Sequence, residues 1–207
     1  MLTYERAYYE QGYHLIVGCD EAGRGPLAGP VVAAACILPE DYQNEDINDS
    51  KKLSDTKRRE LFLEIQKHAI AWGIGIVDAK QIDEMNIYQA SRLAMNLAIQ
   101  NMRHTFEMVL TDAMPLFDYE VPVIDIIKGD AKAMCIAAAS ILAKVTRDDL
   151  MEQLDALYPQ YGFAHHKGYG TKEHIEALNR YGPIPGIHRY TYRPVYEAMH
   201  QQIKLFE

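Results

Sequence analysis

Apolar residues recur along this chain in two rhythms. Short unbroken runs of strand length occupy residues 14–20, where Leu15, Ile16 and Val17 are consecutive, and residues 31–38, 70–77, 107–111 and 121–127. Apolar residues at helical spacing follow Ser54, a good N-cap, at Leu61, Phe62, Ile65 and Ala69. The same spacing runs through residues 82–102, where Ile87, Ala90, Leu93, Ala94, Leu97, Ala98 and Met102 share a face. It is strongest over residues 131–157, a stretch rich in alanine that ends at Tyr158-Pro159. After it come a loop rich in Gly and His, a short helix capped by Thr171, and a last helix after Pro194. Gly73 and Gly75 weaken the third run as a strand. The predicted order is β, β, helix, β, helix, β, β, long helix, then a tail of helices only. A tight connection between the first two runs favours an antiparallel start. Strands alternating with helices then point to an α/β fold with one mixed sheet covered by helices.

No repeat or low-complexity segment interrupts this pattern. The longest apolar run, Val31 to Leu38, is far shorter than the ~20 residues a membrane span needs. The first residues lack the basic start and apolar core of a secretory signal. Cys19, Cys36 and Cys135 form no C-x-x-C pair and sit in apolar stretches, so buried, reduced thiols of a cytoplasmic protein are expected. The net charge of −8 argues against binding nucleic acid by bulk positive charge. That charge is uneven: residues 1–127 carry a balance of −9 and residues 128–207 a balance of +1. A local basic track in the C-terminal part is therefore compatible with an acidic total.

The acids are informative by position. Asp20 and Glu21 close the first predicted strand, Asp112 closes the fourth, and Asp130 opens the long helix. If these strands are neighbours, four carboxylates converge at one edge of a sheet, where sites of open α/β sheets lie. Gathered carboxylates repel and raise one another's pKa, a conflict a divalent cation removes. Oxygen-only ligands point to Mg²⁺ or Mn²⁺ rather than Zn²⁺, with two ions a natural arrangement for phosphodiester cleavage. Each acid singly has a blander use as a turn former or cap, and Asp130 in particular as the N-cap of the long helix. In a regular strand Asp20 and Glu21 point to opposite faces, so a local twist near the following glycines is needed to join them.

Gly23-Arg24-Gly25-Pro26-Leu27-Ala28 formally fits a dinucleotide fingerprint. That motif must open a helix, whereas here Pro30 and a β-rich run follow, so an NAD-dependent oxidoreductase is disfavoured. Close backbone approach to a ligand is the better use of these glycines. His165 and His166 have no evident third metal ligand and read as surface or core histidines, and Lys57, Arg58 and Arg59 read as a solvated helix face.

The run Gly18-Cys19-Asp20-Glu21-Ala22-Gly23-Arg24-Gly25-Pro26-Leu27-Ala28-Gly29-Pro30 resembles the N-terminal signature of the ribonuclease HII family. Asn48-Asp49-Ser50-Lys51-Lys52-Leu53, Lys128-Gly129-Asp130, the stretch from Ala138 to Asp148, Tyr161-Gly162-Phe163, His166-Lys167-Gly168-Tyr169-Gly170-Thr171 and His188-Arg189 resemble its further motifs, in order. The resemblance implies a ribonuclease H-like core over residues 1–157 and a helical C-terminal extension over 158–207, forming one compact unit. It implies endonucleolytic cleavage of RNA in RNA–DNA hybrids and 5′ to single ribonucleotides in duplex DNA, by a chain with no obligate protein partner, working as a monomer. On the same basis Asp20, Glu21, Asp112 and Asp130 hold Mn²⁺ or Mg²⁺. Gly23, Arg24 and Gly25 contact the 2′-OH, Lys51 and Lys52 lie near phosphates, and Tyr169 stacks on a sugar. The pattern departs from the family at one place: Ala113 stands after Asp112 where the family usually has Gly. Alanine tolerates positive φ poorly, so a different local turn is expected there. A hybrid-binding module without catalysis is the competing reading, but pure binders gain nothing from carboxylates facing phosphate.

Overall fold

The computed structural model describes residues 3–47, 50, 53–117 and 119–204. Five strands, β1 (Ile16–Ala22), β2 (Val31–Ile37), β3 (Ala71–Val77), β4 (Met108–Asp112) and β5 (Val123–Ile126), form one sheet in the order β3-β2-β1-β4-β5. β1 pairs antiparallel with β2 and parallel with β4, and β4 pairs parallel with β5. The expected antiparallel start and mixed sheet are both present. The helices are α1 (Thr3–Tyr9), α2 (Asp55–His68), α3 (Ala79–Met85), α4 (Ile87–Met102), α5 (Met134–Leu157), α6 (Phe163–His166), α7 (Lys172–Tyr181) and α8 (Arg193–Lys204). No helix among the described residues is long and apolar enough to cross a membrane.

The chain divides into two compact units. The first comprises residues 1–22, 32–76 and 91–145, and the second residues 23–31, 77–90 and 146–207. In the first, the alanine-rich start of α5 packs into a cluster with Ala34, Cys36, Ile47, Leu61 and Ile65. The contact is so close that a Cβ at Gly18 of β1 would lie 2.1 Å from the backbone carbon of Cys135. Gly73 and Gly75 serve the same end against α4 rather than merely weakening β3, since a Cβ at Gly75 would lie 2.0 Å from the Ala94 carbonyl. The three cysteines are buried free thiols.

Two expectations are corrected, and one helix was not foreseen. Residues 82–102 are not one helix: Asn86 adopts φ 72° and separates α3 from α4. Its Oδ1 accepts from the Tyr88 and Gln89 N–H groups, so one residue ends a helix and caps the next. The long helix begins at Met134, not at residue 131, and is preceded by a 3₁₀ turn over Gly129–Ala131. Helix α1 has no counterpart among the expected elements because seven residues are too few to show a period. It is held by tertiary contacts: Tyr4, Tyr8 and Tyr9 pack against a cluster containing Ile16, Leu110 and Ile136, and Glu5 Oε1 accepts from the Cys135 N–H at 2.9 Å. That carboxylate caps the first turn of α5, and burial pushes its pKa up.

The second unit has its own apolar clusters, one around Ala28, Met151, Tyr161 and Phe163, the other around Leu27, Leu178, Val195 and Ala198. Between Tyr161, Phe163 and their neighbours lie three buried histidines. His166 stacks on His174 with ring centroids 4.5 Å apart, and His174 Nε2 meets His188 Nε2 at 3.1 Å. Burial pushes the pKa of His174 down to about 4 and that of His188 to about 3, reinforced by neighbouring histidines. Both rings are therefore neutral when folded yet take up protons near pH 6.5 when unfolded. Their contribution to stability is complete above pH 6.5 and is lost as pH falls toward 4 and 3. Replacing His188 with Gln should make the unfolding free energy fall less steeply between pH 6 and 4. The slope should differ from wild type by up to about 1.4 kcal/mol per pH unit in urea titrations. Equal slopes would mean that His188 protonates freely in the folded protein.

Candidate active site

Asp20, on β1, is 5% exposed and sits opposite Ala34 of β2. Its strand neighbour Cys19 pairs with Thr111, so the parallel register of β1 and β4 brings Asp112, the last residue of β4, to the same end. Asp112 Oδ1 accepts from the Gly129 N–H at 2.8 Å. Lys128, in the left-handed conformation at φ 57°, turns the chain there, and the 3₁₀ turn that follows delivers Asp130, 6% exposed. One oxygen each of Asp20, Asp112 and Asp130 lies within 4.8 Å of the others. The blander alternative for Asp130, N-cap of the long helix, does not hold: Met134 opens α5, and it is Glu5 that caps its first turn.

Asp20 feels this arrangement most. Burial raises its pKa well above the ordinary carboxyl range, and the charges of Glu21 and Asp112 raise it further. A hydrogen bond from Ser140 opposes the shift, and so does the Glu21 N–H, which donates to Asp20 Oδ1 at 2.7 Å. Glu21 follows Asp20 in an extended strand and is not among the three acids whose oxygens converge, although its charge bears on Asp20. Three close, hard oxygen donors with mutual repulsion fit a divalent cation of the Mg²⁺ or Mn²⁺ type. Ser140 is not among the site residues expected from sequence, although it lies in the Ala138–Asp148 stretch and is a polar residue interrupting the apolar run 136–143. Its Oγ also meets Ser50 Oγ at 2.8 Å.

Within the second unit, Gly23 (φ 100°), Arg24 and Gly25 form an irregular loop, not the start of a helix. The Tyr169 ring, 47% exposed, lies 3.6 Å from where a Cβ on Gly25 would be. A match to the family model for ribonuclease HII extends over residues 17–195. The chain belongs to the ribonuclease HII family. It is 55% identical over 192 residues to the ribonuclease HII of Acetivibrio thermocellus, covering 93% of this chain and 75% of that relative. Among solved structures, the ribonuclease H2 of Pyrococcus horikoshii OT3 matches with TM-score 0.78 at 28% identity, over 91% of this chain and 99% of that one. A Bst-RNase HIII structure in complex with Mn²⁺ matches with TM-score 0.73 over 96% of this chain and 73% of that one. At 17% identity it speaks to the fold alone. Ribonuclease HII membership makes this chain a ribonuclease H, an endoribonuclease of RNA–DNA hybrids.

The remaining expected residues fall into place unevenly. Lys51 and Lys52 lie outside the described residues, as do Asn48 and Asp49. Ser50 and Leu53 on either side of the lysines are held by Arg58, whose Nε donates to the Ser50 carbonyl at 3.0 Å and whose Nη2 donates to that of Leu53 at 2.8 Å. Arg58 is therefore a buried clamp, which corrects its reading as part of a solvated face. The helical period set by Leu61 and Ile65 places it on the buried side. His165 is exposed beside Glu173, while His166 is buried, with Tyr161 and Gly168 as backbone partners. Neither departs from its expected role as a surface or core residue.

Ala113 adopts φ 49° and its N–H donates to the Ile126 carbonyl at 3.1 Å, so the chain takes a left-handed φ here with a side chain in place. An L-residue in that conformation costs about 1–2 kcal/mol, and glycine loses about 0.4–1 kcal/mol more chain entropy on folding. Ala113→Gly should thus stabilise the protein by about 0.5–1 kcal/mol in urea unfolding. A loss of stability would show that the turn carries no strain.

Proposed function

We propose that this ribonuclease H requires divalent cations, Mn²⁺ or Mg²⁺, and cleaves on the 5′ side of ribonucleotides, both in hybrids and singly within duplex DNA. The observation that carries this reading is the convergence of Asp20, Asp112 and Asp130, with the pKa of Asp20 raised first by burial and then by the charges of Glu21 and Asp112. Three hard oxygen donors fit a cation of the Mg²⁺ or Mn²⁺ type. When bound, the ions supply an activated water and charge neutralisation at the leaving oxygen.

The protein's part is placement. Asp20, Asp112 and Asp130 hold the ions and Glu21 completes the set. Ser140 and the Glu21 N–H fix one carboxylate, and the Gly129 N–H fixes another. The water oxygen bonds to phosphorus in line with the departing O3′. The P–O3′ bond breaks, and the products end in 3′-OH and 5′-phosphate. Backbone groups of Gly23, Arg24 and Gly25 read the 2′-OH that distinguishes RNA from DNA. The Tyr169 ring packs on the sugar beyond the scissile phosphate and favours deoxyribose there. Lys51 and Lys52 neutralise phosphates, and the chain works as a cytoplasmic monomer without an obligate protein partner.

The test is incubation with a duplex bearing one ribonucleotide, with Mn²⁺ or with EDTA, followed by mapping of product ends. Asp20→Asn should lower turnover more than about 100-fold and weaken Mn²⁺ binding in calorimetry while the fold persists. Turnover near wild type would remove Asp20 from the site. Tyr169→Ala should impair cleavage at a single ribonucleotide more than in a long hybrid, and equal losses on both would contradict its reading of the junction.

A further inference from the structure

Arg189 is completely buried, and it faces backbone carbonyls. Its Nη2 donates to the carbonyls of Gly23 (2.6 Å) and Gly29 (2.9 Å), its Nη1 to that of Arg24 (2.9 Å), and its Nε to that of Gly29 (3.1 Å). Tyr192 joins the arrangement: its hydroxyl accepts from Arg189 Nη1 at 3.1 Å and donates to the Arg24 carbonyl at 2.7 Å. The fork of a guanidinium is suited to such a cluster of acceptors in a way a lysine is not.

The consequence follows from peptide geometry. No peptide bond in the described chain is cis, and in a trans peptide the C=O and the next residue's N–H point in opposite directions. The Gly23 carbonyl shares its plane with the Arg24 N–H, and the Arg24 carbonyl shares its plane with the Gly25 N–H. With both carbonyls drawn to one guanidinium, both N–H groups lie on the side away from it. Backbone N–H groups held on one side can serve an electron-rich oxygen. A cation on the carbonyl side also polarises each amide and strengthens its N–H as a donor.

The residue before Arg189 extends the same framework. The Ile184 N–H donates to His188 Nδ1 at 2.9 Å, so the proton of this neutral ring sits on Nε2, which donates to His174 Nε2. The proton of His174 is then on Nδ1, which donates to the Tyr169 carbonyl at 2.9 Å. His188 also bridges to Ala28, and the Arg189 N–H donates to the Leu27 carbonyl at 2.9 Å. The dipeptide thus ties the 23–29 loop and the Tyr169 backbone to one support.

We propose that His188-Arg189 is the positioning element of ribonucleotide recognition: Arg189 presets the Arg24 and Gly25 N–H groups as paired donors to a ribose 2′-OH, and His188 sets Tyr169 through His174. This rests on the reading of the Gly23–Gly25 loop as the reader of the 2′-OH. The test compares the affinity of the full chain for a fluorescent duplex bearing one ribonucleotide with that for the same duplex in all-DNA form. Both are measured in EDTA by anisotropy. Arg189→Lys should lower the ratio of the two affinities about tenfold, with all-DNA binding and Mn²⁺ binding unchanged. Tyr192→Phe, a half-buried change that leaves the clusters filled, should lower it about threefold and decides the matter if Arg189→Lys fails to fold. Folded variants with the wild-type ratio overturn the proposal. A wild-type ratio of one removes the 2′-OH-reading role itself, and the proposal with it, while Mn²⁺-dependent cleavage of hybrids would stand.

Discussion

Repulsion among buried carboxylates is the constraint around which the first unit is built. Asp20, Asp112 and Asp130 come together although burial and neighbouring charge both work against ionisation of Asp20. Three independent devices hold them there. The parallel register of β1 and β4 fixes two of the acids, the left-handed Lys128 turns the third inward, and backbone N–H groups with Ser140 satisfy oxygens that would otherwise face only one another. A protein selected for stability alone has no use for such a cluster, and the expense becomes intelligible once dications are part of the working state.

The second unit treats buried charge in the opposite way. Arg147 donates to the carbonyls of Pro30, Lys167 and Ala28, and Arg189 to those of Gly23, Arg24 and Gly29, so each buried cation is matched by backbone dipoles. Burial lowers the pKa of both guanidiniums, that of Arg147 to about 10, without removing their protons at neutral pH. His174 and His188 in the same unit stay neutral and act as fixed donors and acceptors. Rigidity is the common outcome, and a loop of glycines needs it from outside because it supplies none itself.

Much of this was legible in the linear pattern. All five strands follow apolar runs of strand length, and the Ser54 and Thr171 caps stand where hydroxyl residues precede helical spacing. Asp20 lies two residues before the end of β1 rather than at it, and its meeting with Asp112 needed only the assumption that β1 and β4 are neighbours. What remained hidden depends on partners distant in the chain. The Glu5 cap on α5, the Arg58 clamp and the Arg189 fork each join residues through tertiary contact, and no local period encodes them. The break at Asn86 escaped because its left-handed φ leaves the apolar spacing on either side unchanged.

The parallel pairing of β1 with β4 has a temporal consequence. β1 and β2 leave the ribosome early and can form their hairpin at once, but the other edge of β1 stays bare until Met108–Asp112 has been made. Unpaired strand edges invite association with other chains, so the nascent protein passes through a vulnerable interval roughly ninety residues long. Asp130 arrives later still, and α1 can dock on Cys135 only after that. The carboxylate cluster is therefore complete only once Asp130 has been made, and a chain arrested before that point holds a partial sheet with no means of gripping a cation.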